Sequence, residues 1–209
     1  MNEQEYENLL NIKTAGKQDL EETTIHYNRY EPTDYEALNT LFEKYNLNED
    51  DSVVDFGCGK GRLNFYLNHL FNCKVTGIEM NKYFYQQALN NKKSYIEKSK
   101  KDESKINFEC TFAEKYEIKK EDNKFYFFNP FSVEIFMKVL DNILGSVYEF
   151  KRDAELVLFY PSDDYIFFLE QYTLFNLKKE VRLKSFKDDS RDRFLIYKIS
   201  FDEDGNLKM

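Results

Sequence analysis

The stretch VVDFGCGKGR, Val53 to Arg62, holds three of the chain's seven glycines on alternate positions, directly after an apolar run that ends in Asp55. Glycines at this spacing let a backbone turn sharply and approach a ligand without a Cβ in the way. Three kinds of ligand are compatible with such a turn. A phosphate loop needs a Gly-Lys-Ser/Thr ending four residues after its first glycine. Here Lys60 lies between glycines and Arg62 follows Gly61, so that pattern fails. A dinucleotide turn needs a glycine at position 62, which is Arg62. The pattern that remains is Asp-x-Gly-x-Gly-x-Gly. Eighteen residues past Gly61, the run VTGIEM ends in Glu79, a carboxylate able to accept both hydroxyls of a ribose. FYFFNPF, further on, ends in an Asn-Pro-aromatic turn at Asn129, Pro130 and Phe131.

These residues need elements to position them. SVVDF is short, apolar and β-branched, and predicts a buried strand running into the glycine turn. GRLNFYLNHLF follows as a helix. KVTGIEM, KINFEC, KFYFFNPF and AELVLFYP predict further strands, alternating with the helices YFYQQALNNKKSYIEKS, VEIFMKVLDNILGSVYEF and DDYIFFLEQY. Gly145 is a possible end of the second of these helices. LFNLKKEVRLKSF and RFLIYKISF read as a closing hairpin. Residues 1–50 predict helices with an irregular joint, one of them over DYEALNTLFEKYNL with Thr33 or Asp34 as its cap. The expectation is an α/β fold: a doubly wound, mostly parallel seven-stranded sheet with a C-terminal antiparallel hairpin. Residues 1–50 form an N-terminal helical extension or lid, and residues 51–209 the ligand-binding domain.

Composition narrows the function. Residues 1–50 carry 12 acidic against 4 basic side chains, and the rest of the chain is balanced. An acidic extension on a neutral body disfavours an extended nucleic-acid footprint. Any such footprint would need the hairpin cations Lys178, Lys179, Arg182, Lys184, Arg191 and Arg193. Cys58, Cys73 and Cys110 have no metal-ligand spacing, and with only His26 and His69 no zinc site is expected. No apolar run is long enough to span a membrane. MNEQEYENLL lacks the basic and apolar regions of a secretory leader, so a cytoplasmic protein with reduced thiols is expected.

VVDFGCGKG resembles motif I of the Rossmann-like S-adenosylmethionine (SAM)-dependent methyltransferases. The resemblance covers residues 50–165. It implies that SAM is held by Asp55, Phe56, Gly57, Cys58, Gly59 and Gly61, with Glu79 and Met80 at the ribose side. In that family an Asp-Ala pair after the third strand meets the adenine. Here Ala113 matches while Phe112 takes the acidic position, with Glu114 left to reach the amino group. Asn129, Pro130 and Phe131 resemble the Asn/Asp-Pro-Pro-aromatic motif of methyltransferases that act on planar nitrogens, one residue short because Ser132 follows. The implied role is catalytic, with Asn129 orienting the nitrogen and also adjoining SAM. A plain strand-to-helix turn capped near Ser132 explains the same residues equally well. NRYEPTDYEAL resembles a segment that folds over the methionyl end, with Tyr30, Thr33 and Tyr35 as lid residues or simply as core packing.

The expected activity is SAM-dependent methyl transfer to a nitrogen. The acceptor stays open between a small molecule, a protein side chain and a nucleobase. A hydroxyl or carbon acceptor would want a base. His26, Asp163, Asp164 and Glu134 are the candidates, none in a motif. The rival expectations are a non-catalytic SAM-binding regulatory protein and, disfavoured by Arg62, an NAD-dependent oxidoreductase.

Overall fold

A computed structural model describes residues 1–16, 30–202 and 204–208. Two short helices come first, α1 (Glu3–Leu10) and α2 (Tyr35–Phe42). Asn2 and Glu5 close the start of α1 reciprocally, each side chain accepting the other's backbone N–H. Asp34 stands at the cap position of α2 without a side-chain bond, and Thr33 instead pairs its hydroxyl with that of Tyr126 at 2.9 Å.

Strands and helices then alternate: β1 (Ser52–Phe56), α3 (Arg62–Phe71), β2 (Lys74–Ile78), α4 (Lys82–Ser99), β3 (Ile106–Glu109), β4 (Lys124–Phe127), α5 (Val133–Phe150), β5 (Ala154–Phe159) and α6 (Asp163–Tyr172). The chain closes with β6 (Asn176–Arg182) and β7 (Arg193–Ile199). The sheet order is β3-β2-β1-β4-β5-β7-β6. Pairs β2–β3, β1–β2, β1–β4 and β4–β5 are parallel, and β7 runs antiparallel to both β5 and β6. This is the expected seven-stranded sheet with its antiparallel end.

Every residue of β1 is buried because both faces of the sheet are covered. Val53 faces α2, α3 and α4, sharing a core with Leu38, Leu63 and Tyr95. Val54 faces α5 and α6, sharing the other core with Phe125, Phe136 and Tyr165. Aromatic rings fill that second layer, with Phe136 and Tyr165 stacked at 3.8 Å. Leu10 and Ile12 of the N-terminal extension lie in the first core, not in one of their own.

Three boundaries differ from expectation. Helix α2 ends at Phe42, before the EKYNL predicted to continue it. Helix α5 does not end at Gly145. Ile143 and Val147 are both fully buried, and their packing carries the helix across an exposed glycine. Strand β6 stops at Arg182, and Lys184–Lys187 form a 3-10 turn in place of the strand's predicted tail.

Candidate functional site

The chain leaves β1 toward β2 on one side and returns through β4 on the other, so a crevice opens at the carboxyl ends of β1 and β4. The glycine turn occupies its floor. Gly57, Gly59 and Gly61 have φ of +80°, +56° and +86°, in the left-handed region. The amides of Gly57 and Cys58 both donate to the Ile78 carbonyl, which ties the turn to the end of β2. A Cβ on Gly57 would lie 2.8 Å from Pro130 Cβ. The glycine turn and the Asn-Pro-Phe turn, over seventy residues apart in sequence, therefore pack directly together.

Two carboxylates are buried here. Asp55 is 4% exposed, and Asn64 on α3 donates its amide to Asp55 Oδ2 at 3.0 Å while accepting from the Gly77 amide. Glu79 is 8% exposed and accepts from the amides of Gly59 at 2.9 Å and Asn81 at 2.8 Å. Burial, reinforced by the charge of Glu79, pushes the Asp55 carboxyl up to about 8. Burial likewise raises Glu79, against the pull of three backbone amides. Among the described residues, no cation appears among the groups that shift either acid. The Cys58 thiol is raised by the same burial and by Asp55, so it is an inert neutral group.

The residues expected on the adenine side are more open. Met80 and Glu114 are half-buried, Phe112 is exposed at the rim, and Ala113 is buried in a 3-10 turn, Ala113–Lys115. The ring of Phe108 on β3 packs against Gly61 and Gly77, closing the turn from beneath.

On the opposite side of the crevice, Asn129 has φ of +39° and is half-buried beside Pro130. Phe131 is turned into the core at 2% exposure, edge-on to Phe127, and its carbonyl accepts from the Tyr165 hydroxyl. Phe128 leans on Phe159 at the end of β5, with ring centroids 4.5 Å apart. Next to them, Tyr160 bonds to Asp189 and Arg191 of the β6–β7 connection. A cavity of about 410 Å³ lies beside Phe159, between the starts of α1 and α2 and that same connection. Asp163, Asp164 and Glu134 are exposed in the first turns of α6 and α5. His26 lies outside the described residues.

The sequence missed several participants. Asn64 and Phe108 read as ordinary helix and strand residues; the first turn of α3 carries Asn64 back to Asp55, and the β2–β3 register sets Phe108 beside Gly77. Arg62 served only to rule out a dinucleotide, yet its side chain reaches back to the N-terminal extension.

A family model described as "Methyltransferase domain" matches residues 34–155, more than half of the chain. The chain belongs to this methyltransferase-domain family. No curated protein matches the domain in sequence. Its fold resembles several solved structures. One is an RNA methyltransferase from Salinibacter ruber in complex with S-adenosyl-L-homocysteine (SAH), with a TM-score of 0.53 and 15% identity over 80% of this chain and 91% of that one. A second is a candidate RNA methyltransferase from Pyrococcus horikoshii, with a TM-score of 0.59 and 16% identity over 94% and 96%. A third is the Pyrococcus abyssi tRNA (uracil-54, C5)-methyltransferase with SAH, with a TM-score of 0.54 and 17% identity over 89% of this chain but 44% of that one. At these identities the likeness establishes the Rossmann-like methyltransferase fold. No helix among the described residues is long and apolar enough to cross a membrane.

Proposed function

We propose that this methyltransferase domain binds SAM in the crevice above the glycine turn and transfers its methyl group to a nitrogen acceptor. The observation that carries the reading is the buried acidic pair, Asp55 and Glu79, set around glycine backbone. Burial holds both carboxyls toward their protonated forms until a cation joins them. A pyrophosphate ligand brings only further negative charge. SAM carries an ammonium and a sulfonium, which draw the pair into its charged form. The backbone amides at the start of α3 suit the one carboxylate SAM has.

The residue roles follow from placement. Glu79 has lone pairs beyond those its backbone amide partners use and faces the ribose. Asp55 lies toward the cationic end. Met80, Ala113 and Glu114 bound the adenine side. SAM, when bound, supplies an electrophilic methyl group. Asn129 then orients an acceptor nitrogen toward it, and holding that geometry is worth many powers of ten in rate without a base. Residues 1–50 act as a lid on residues 51–209. The neutralised hairpin cations, described below, favour a small molecule or a protein side chain over a large nucleic acid.

The test is titration calorimetry with SAM and SAH, followed by transfer of label from SAM to cell-extract acceptors. Binding is expected, and Asn129→Ala should abolish transfer while leaving SAM affinity within about threefold. Failure of a folded sample to bind either ligand would sink the reading. One observation favours a second reading, a non-catalytic SAM-binding regulatory protein. Phe131 is buried, not open to stack on a substrate. Binding without transfer to any acceptor is its signature.

A further inference from the structure

Arg62 opens α3 directly after the glycine turn, but its side chain runs away from the crevice into the N-terminal extension. It is 3% exposed. Its Nε donates to Thr14 Oγ1 at 2.7 Å, Nη1 to the Thr33 carbonyl at 3.3 Å and Nη2 to the Glu3 carboxylate at 2.6 Å. Glu7, itself buried, lies 3.6 Å from Nη2 and accepts from the Thr14 amide and the Tyr35 hydroxyl. The guanidinium lies 4.5 Å from the centroid of the Tyr35 ring. A guanidinium in so dry a place is tolerable only with its donors matched, and only its planar fork can reach three separate segments at once.

The same extension grips Gly59 and Lys60 of the turn. Lys60 Nζ donates to the Ala15 carbonyl at 3.1 Å. Asn91 on α4 donates to the carbonyls of Lys60 and Lys13 and accepts from the Lys13 amide. The Tyr30 hydroxyl donates to the Thr14 carbonyl at 2.6 Å. The edge of its ring abuts Gly59, so that a Cβ there would come within 2.1 Å of it, and the ring stacks on Phe84 of α4 at 4.7 Å. Gly59, Lys60 and Arg62 are thus each held, directly or through Tyr30, by residues 13–15. The turn cannot reshape around a ligand without moving this segment, because the contacts are continuous.

We infer that Arg62 is a positioning residue of the cofactor turn. It latches residues 3–14 and Thr33 to the turn, so that ligand occupancy and docking of the N-terminal segment are linked equilibria. The inference rests on the SAM reading above and adds to it a thermodynamic role for the extension. By reciprocity, whatever ligand binding adds to docking, docking adds to affinity.

The experiment is hydrogen exchange of residues 3–15 with and without saturating SAH, together with the SAH dissociation rate, for wild type and Glu7→Gln/Arg62→Met. The double change avoids leaving a buried carboxylate unpaired. In wild type, SAH should slow exchange in residues 3–15. In the variant that response should vanish and SAH should leave about tenfold faster, while exchange in β1, β4 and β5 stays unchanged. Should the double variant fail to fold, Thr14→Val removes one hydroxyl acceptor of Arg62 and keeps the charge pair. It should show the same pattern at about threefold. Wild-type binding with no protection of residues 3–15, or a folded variant with the wild-type dissociation rate, overturns the coupling alone. A wild type that binds neither SAM nor SAH overturns the SAM reading and the coupling with it.

Discussion

Burial and the neighbouring charge of Glu79 both oppose ionisation of Asp55, and the amide that Asn64 donates to it is too little to offset them. In the ligand-free fold Asp55 titrates at about 8, whereas in the unfolded chain it returns to the ordinary carboxylate range near 4. Between those values the folded chain holds a proton that the unfolded chain has lost. Stability of the ligand-free protein therefore falls as pH rises from about 4 toward 8, and the loss is complete above that. A cationic ligand reverses the balance. It should displace the proton, so affinity for SAM should rise between pH 6 and 8. Calorimetry at pH 7 in two buffers of different ionisation enthalpy should detect proton release, and equal heats in both would refute it. Asp55→Asn keeps the shape and removes the charge. Its thermal midpoint without ligand should exceed that of wild type at pH 8 and above, and SAM affinity should drop at least about tenfold.

At the scale of elements, glycines behave in opposite ways according to backbone and space. Gly145 lies inside α5, exposed, with nothing within 4 Å of where a Cβ would go. Gly145→Ala should stabilise the protein by about 0.5–1 kcal/mol, since the flexible residue is tolerated only by the packing of Ile143 and Val147. A thermal midpoint higher by roughly 1–4 °C is expected. Gly61 caps α3 at φ +86°, and a Cβ there would stand 2.8 Å from Phe108 and 2.9 Å from Phe65. Gly61→Ala should cost on the order of 2–4 kcal/mol through backbone strain and overpacking together. Chemical denaturation of both variants checks the contrast. A destabilised Gly145→Ala would mean that α5 is strained at that turn.

At the scale of the whole molecule, a net charge of −8 is joined to a hairpin whose cations are mostly paired. The closing hairpin is rich in cations, yet Lys178 meets Glu155, Lys184 meets Glu36, Arg182 and Arg193 share Glu180, and Arg191 meets Asp189. Lys179 is engaged by the Lys44 carbonyl. Of these hairpin cations, all but Lys179 thus meet a carboxylate, which leaves less free positive charge to displace counterions from a phosphate backbone. Structured RNA should therefore bind weakly at about 0.15 M salt, and Lys178→Ala/Lys184→Ala should leave that binding unchanged within about twofold. A mobility-shift titration across salt concentrations measures both. Tight, salt-sensitive binding lost in the double variant would instead make the hairpin a nucleic-acid surface.

The alternation of β-branched runs with helical periods determined the parallel sheet, and the run Val53–Arg62 with Glu79 determined where its ligand crevice opens. These are local facts, because a strand's burial pattern and a glycine's freedom are written into a few neighbouring residues. Helix α5 crossing Gly145 was not legible, since burial of Ile143 and Val147 outweighs local propensity. Nor was the inward turn of Phe131, which depends on Phe127 and Tyr165 from other elements. Tertiary structure alone brought Pro130 against Gly57, set Asn64 under Asp55, and sent Arg62 back to Thr14, Thr33 and Glu3. Such contacts join residues on different elements, and they form only where the packed sheet and helices bring those elements together.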